Sequence, residues 1–346
     1  MELDRFDWLS LRTEAAMDPK QQIIDPHHHL WNRNDSTYLA NELLADTGGT
    51  HNVTHTVFVE CRSKWDRDAD AHLAPVGETR FVAGEAAEMA ERDGAVIGAI
   101  VSHADLMLGE QVEEVLAAHE KAGAGLFRGI RHATPWDEDP QAHNAHTGAT
   151  QHMMQTDGFI NGARTLAEMG FSFDSWLYHH QIPELVELAH AVPELSIVLD
   201  HLGGRLGVGS YATRRAEVVA QWKQAMSAAA ECSNIVLKVG GIGMDNTFGT
   251  GWSDFHKPPS SEQVADYWSD DVRWSIDTFG PSRCMFESNF PVDRQSLPYA
   301  VLWNAMQIMA ADYSAEEQAD LFVNTAAATY RIDLEAASAA GAEAGL

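Results

Sequence analysis

Residues 23–31 read IIDPHHHLW. A short apolar run meets an aspartate, a proline and three consecutive histidines. The run reads as a strand, and in a strand residues i and i+2 face the same side. His27 and His29 then share one face, while His28 takes the other. Two imidazoles on one face make half a site for Zn²⁺, Fe²⁺ or Mn²⁺. The alternative is a hydrogen-bonded pair that touches only substrate.

Seven further short apolar runs follow along the chain. They are HTVFVEC (55–61), AVIGAIVS (95–102), GLFRGIRH (125–132), FSFDSWLYH (171–179), LSIVLDH (195–201), NIVLKVGG (234–241) and RCMFESNF (283–290). Their Val, Ile and Phe content is that of strands. Helical patterns fall between them, over residues 111–122, 212–231, 262–279 and 314–330, and Pro183 opens another. Alternating strands and helices imply parallel βαβ units. Eight units predict an α/β fold, a single-domain (β/α)8 TIM barrel, which needs about 250 residues. An open doubly wound sheet is the runner-up, but no Gly-rich phosphate loop follows the first strand. The barrel is expected over residues 23–331, with an N-terminal extension at 1–22 and an Ala-rich tail at 332–346. Long loops after strands four (133–161) and seven (242–261) would lie on the catalytic face.

Polar residues gather at the strand ends. Arg131 offers a planar fork for a substrate carboxylate, or a salt bridge inside the rim. Lys238 holds an oxyanion or metal site, or pairs with Glu60. Glu60 is a candidate for orienting a histidine beside the substrate. Trp31, Tyr178 and His132 are candidates for the pocket wall. Cys61 reads as a buried thiol, and His143, His146 and His152 as solvated loop residues.

Composition excludes several classes of function. The balance of 23 basic and 51 acidic residues gives a net charge of −28, which repels nucleic acid and anionic membranes. No apolar run reaches the roughly 18 residues of a membrane span. Three separated cysteines and an acidic N-terminus without an apolar signal region point to the cytoplasm. An anionic small molecule would need local arginines against that field.

The segments DPHHHLW, VFVEC, FRGIRH, WLYHHQIPEL, IVLDHLGG, VLKVGG and MFESNFPVD occur in this order. Together they resemble the amidohydrolase superfamily, in its "amidohydrolase 2" branch of predicted metal-dependent TIM-barrel hydrolases. The resemblance runs from about residue 23 to residue 330. It implies that His27, His29, His179 and His201 match metal-binding positions. It implies one divalent metal, zinc first and manganese or iron next, or a metal-free site in which the imidazoles polarise the substrate. The branch usually ends its eighth strand in an aspartate that binds metal and takes a proton from water. Asn289 stands there instead, and asparagine cannot act as a base. Glu287 or Asp293 is then expected to activate water. The implied activity is hydrolytic opening of a lactone of a small carboxylated or sugar-acid substrate. The alternatives are a metal-dependent decarboxylase of an aromatic or unsaturated acid, and an inactive binding homologue. A homodimer is common among barrels, but no motif here specifies one, and the oligomeric state stays open.

Overall fold

The structure is a computed structural model that describes residues 5–33, 36–142 and 147–334. Eight parallel strands form one sheet in sequential order: β1 (Gln22–His28), β2 (Asn52–Val59), β3 (Val96–Ser102), β4 (Phe127–Arg131), β5 (Ser172–Ser175), β6 (Ile197–Leu199), β7 (Ile235–Val239) and β8 (Cys284–Phe286). The last strand returns to the first just beyond its end. Asn289 N–H donates to the His27 carbonyl at 2.9 Å, and His29 N–H donates to the Phe290 carbonyl at 2.8 Å. The architecture is a (β/α)8 barrel. Its closing seam joins the two stretches that carry the histidine pair and Asn289.

Both faces of the strands are covered, so the strands read as continuous apolar runs. Val57, Phe58, Ile100, Ile197, Val198 and Leu237 are fully buried. The helix Ser261–Phe279 shows how the outer layer forms. Ser260 and Gln263 make a reciprocal capping box at its start. Val264, Trp268, Val272, Ile276 and Phe279 recur at helical spacing and are buried against the barrel. Gly280, at φ 85°, and Pro281 stop it. Replacing Ser260 by alanine would remove the cap, at about 1 kcal/mol.

Four features depart from the sequence reading. The fifth strand ends at Ser175, so Tyr178 and His179 lie past it in a turn. The Gln181 side chain accepts the Tyr178 N–H at 3.2 Å and bends the chain there. The helical pattern over 314–330 is three pieces, Ala315–Ala319, a π-turn Asp320–Asn324 and Thr325–Tyr330. The π-turn buries Leu321, Phe322 and Val323 in succession, which a 3.6-residue period does not produce. A small hairpin, Trp31–Arg33 with Ser36–Tyr38, follows β1. Helices Ala40–Thr47, Val76–Ala90, Asp157–Glu168 and Tyr299–Ala310 are also absent from the sequence reading, and Asp157–Glu168, capped by Thr156, begins inside the loop expected at 133–161. Tyr299–Ala310 is buried nearly all round, which erases the amphipathic period. His143, His146 and residues 335–346 lie outside the described residues. Among the described residues no helix is long and apolar enough to cross a membrane.

Candidate active site

The site has two storeys. Its floor lies at the centre of the barrel, where strands β5, β6, β7 and β8 contribute charged side chains. Lys238 is fully buried. Its Nζ lies 2.7 Å from Asp174 Oδ2 and 3.3 Å from Asp200 Oδ1. Tyr330 donates its hydroxyl to the same Asp174 oxygen at 2.7 Å. Burial pushes the Asp174 carboxyl up to about 6, with Lys238 pulling the other way. Asp174 and Asp200 together keep Lys238 above its ordinary value despite burial.

Glu287 rises from the floor between two histidines. Its Oε1 accepts from His201 Nδ1 at 2.7 Å and from the His201 backbone N–H at 3.1 Å. Its Oε2 lies 2.9 Å from His27 Nδ1. The carboxylate therefore fixes the ring planes of both imidazoles, as ligand-orienting carboxylates do. Close approach demands glycine beside it. Gly241 has φ 65°, and a Cβ there would lie 2.6 Å from His201 Nδ1. His201 and Leu202 both have φ 53°. Backbone held in this left-handed region by its surroundings clusters at functional sites.

The mouth lies above, built from β1, β2, β4 and the chain after β8. Arg131 Nε donates to Glu60 Oε1 at 2.9 Å, and Nη2 donates to the Glu60 carbonyl at 2.6 Å. Its Nη1 turns toward His27 Nε2 at 3.3 Å and Asp200 Oδ2 at 3.7 Å. Burial works against the guanidinium charge, but Glu60 and Asp200 outweigh it and raise the pKa. His103, just past β3, bonds through Nδ1 to the Arg131 carbonyl at 3.1 Å and stacks on Trp65.

His29 sits edge-on to His27, with ring centroids 5.0 Å apart. Its Nδ1 is 2.7 Å from the Val59 carbonyl, which only accepts, so Nδ1 carries the proton. Its Nε2 is 3.3 Å from Asn289 Oδ1. Asn289, at φ 56°, turns its amide Nδ2 to Asp293 Oδ1 at 2.8 Å, while Gly243 N–H donates to Asp293 Oδ2 at 2.7 Å. Two acceptors thus face each other beside the mouth, a pair complementary to a hydrogen-bond donor or a cation. Burial, then Lys238 and other nearby cations, hold His27 well below the usual imidazole range. Burial, then Arg131, does the same to His29. Both rings are neutral at pH 7.

The structure brings His27, His29, Arg131, His201, Lys238, Glu287 and Asn289 together. His28 turns the opposite way, with Nε2 on Thr56 Oγ1 at 3.1 Å and its ring against Phe58. His179 lies near Tyr211 and His180, and its buried Nε2 has no hydrogen-bond partner. Trp31 stacks on His29, and Tyr178 packs with Leu206. His132 points away from the mouth. Its Nδ1 accepts the Leu106 N–H at 3.2 Å, and its ring lies on Phe159. Lys238 pairs with Asp174 and Asp200 rather than Glu60, because Glu60 is held by Arg131 on the far side of His27. For the same reason Glu60 orients an arginine rather than a histidine. Glu287 and Asp293 are both fully buried, with their oxygens turned to partners within the chain. Cys61 is half-buried rather than buried, and desolvation of its thiol with Glu78 beside it pushes its pKa well above the usual value, which disfavours the thiolate. Sequence reasoning missed Asp174, Tyr330 and His103. A lysine in an apolar strand needs a buried carboxylate, and that requirement could have found Asp174. His103 lies one residue beyond the apolar run 95–102.

Among the described residues, His27, His201 and Glu287 are a group able to hold a metal ion, with one ligand atom from each within 4.8 Å of the others. A family profile described as "Amidohydrolase" matches residues 24–332. The chain is 31% identical over 335 residues to the uncharacterized protein y4mH of Sinorhizobium fredii, covering 90% of this chain and 98% of that one. It is 25% identical to the L-fucono-1,5-lactonase of Burkholderia multivorans, covering 89% and 96%. A crystal structure of a zinc-bound amidohydrolase from Burkholderia multivorans superposes with a TM-score of 0.68 at 21% identity, covering 90% of this chain and all of that one. With the barrel and its polar mouth, these matches make the chain a member of the amidohydrolase family.

Proposed function

We propose that the protein opens the lactone ring of a small anionic substrate, a sugar acid or a carboxylated cyclic ester, by adding water to its carbonyl. The observation that carries this reading is the buried Arg131 beside neutral His27 and His29, in a chain whose net charge is −28. A guanidinium fixed by Glu60 can receive a carboxylate or a developing oxyanion without reorganising. Similarity to a lactonase supports the same reaction class.

The His29–Asn289 pair gives water a place. A water that donates to Nε2 and Oδ1 keeps its lone pairs free for the carbonyl, and the neutral His29 imidazole can take the proton as the bond to carbon forms. Asp293 orients the Asn289 amide. Glu287 orients His27 and His201. Neither carboxylate then needs to be the base. The floor also suits a divalent metal. Two imidazoles and a carboxylate are a zinc-type donor set, and Asp174 and Asp200 offset added positive charge beside Lys238. His27, His201 and Glu287 would hold the ion, which would supply Lewis-acid polarisation of the carbonyl.

A panel of sugar-acid lactones, carboxylated pyrones and aromatic acids tests the reading. Ring-opened acid without CO2 is expected. Release of CO2 would favour the decarboxylase. Binding without turnover would favour the inactive homologue.

A further inference from the structure

A hydrogen-bonded path runs from the N-terminal segment into the site. The segment precedes the family match, which begins at residue 24. Arg5 Nη1 donates to the Ser253 carbonyl at 2.8 Å. Trp8 Nε1 donates to the Phe255 carbonyl at 2.8 Å. Arg12 Nε donates to the Pro258 carbonyl at 3.2 Å, and Glu14 Oε1 accepts the Ser261 N–H at 3.1 Å. Positions 5, 8, 12 and 14 thus meet positions 253, 255, 258 and 261 in order, like lacing. Glu14 Oε2 and the Met17 N–H both bind the Asn304 side chain, which ties the segment to helix Tyr299–Ala310.

The laced loop follows β7 and reaches the catalytic face. Ser253 N–H donates to Asp245 Oδ2 at 2.6 Å, and Asp245 N–H donates to the Gly243 carbonyl at 3.0 Å. Gly243 N–H then holds Asp293, which holds the Asn289 amide beside His29. The inner part of the loop is anchored by a short helix, Asp245–Phe248, and by buried Met244, Phe248 and Trp252, whereas Gly249 and Gly251 sit at positive φ and residues 255–260 have no helix or strand of their own. Such a stretch orders only where outside contacts offset its conformational entropy.

We propose that residues 5–14 are a positioning element of the active site. Arg5, Trp8 and Arg12 hold the loop after β7, and that loop sets how Asp293 presents Asn289. The three side chains bind backbone carbonyls, so the grip does not depend on the loop's side chains. The kinetic part of this proposal rests on the lactonase reading, and the structural part does not.

The test uses full-length protein carrying Arg5→Gln, Trp8→Phe and Arg12→Gln together, with an Arg5→Lys/Arg12→Lys protein as the conservative variant. Amide hydrogen exchange over residues 243–260 is expected to quicken about tenfold or more, with barrel strands unchanged, since each hydrogen bond contributes about 1 kcal/mol. kcat for the lactone turned over by the wild type is expected to fall several-fold, with a smaller change in KM, because Asn289 places the attacking water beside His29. The lysine variant, which keeps cationic donors, should restore both. Exchange over 243–260 equal to wild type would overturn the proposal, and so would faster exchange with unchanged KM and kcat. If no lactone is turned over, the proposed function fails and exchange alone decides this one: quickening that the lysine variant reverses supports it.

Discussion

Lys238 and Arg131 are both buried cations close to His27, yet their settings differ. On the floor, Lys238 is enclosed by Asp174 and Asp200, all at 0% exposure. At the mouth, Arg131 is tied to Glu60 by two nitrogens and keeps the third turned toward His27. Both cations reach His27, Lys238 Nζ at 3.2 Å from Nδ1 and Arg131 Nη1 at 3.3 Å from Nε2, but the floor cation has two fully buried carboxylates within 3.3 Å and the mouth cation is oriented by one. Where both partners of a charge pair are buried, removing one leaves an uncompensated charge. Where a group is oriented but not consumed, removing it costs chemistry more than stability.

The largest expected effect follows on the floor. Lys238→Met leaves Asp174 and Asp200 without their cation and should cost about 3–5 kcal/mol in urea unfolding. Equal stability to wild type would show that the floor is not the structural half. Glu287→Gln sits on the boundary. The amide can keep an oxygen for His201 but turns an NH2 donor and no charge toward His27 Nδ1, so turnover should fall about 100-fold, with a stability loss of about 1–3 kcal/mol. A variant that loses stability but keeps its rate would move Glu287 to the floor group. At the mouth, Arg131→Lys keeps the charge and loses the fork. KM should rise about tenfold, with a smaller stability change than in Lys238→Met.

The smallest effect is in the pH profile. Burial, with His180 and Arg205 adding, lowers His179 to about 3, and His27 and His29 are also held low. These three imidazoles stay neutral as pH falls through 6.5, so turnover that depends on His27 and His29 should remain level there and decline only further down. Half-loss of kcat/KM at pH 6.5 would mean ordinary imidazoles. The linked stability runs in the same sense. The unfolded chain takes up these protons near 6.5 and the folded one does not. The contribution is therefore complete above 6.5 and is lost as pH falls toward the folded values.

The barrel was legible because each strand is a short apolar run with a polar end, and burial on both faces forces that pattern. His27 and His29 were legible because i and i+2 of a strand share a face, and Asn289 because it stands where the resembled family ends its eighth strand in an aspartate. Partner choice was not. Whether Lys238 meets Glu60 or Asp174 depends on which barrel layer each side chain enters, and the register of eight staggered strands sets that. Nor was the role of Glu287 and Asp293. A carboxylate near histidines reads as a base until the geometry shows its oxygens pointing at ring nitrogens and backbone amides.

The most direct measurement is turnover of the preferred lactone in H₂¹⁸O, with mass analysis of the product. Water addition at the carbonyl predicts one ¹⁸O in the newly formed carboxylate and no CO2. Product without label, or CO2 in place of a new carboxylate, would contradict a hydrolytic mouth built on His29, Asn289 and Arg131.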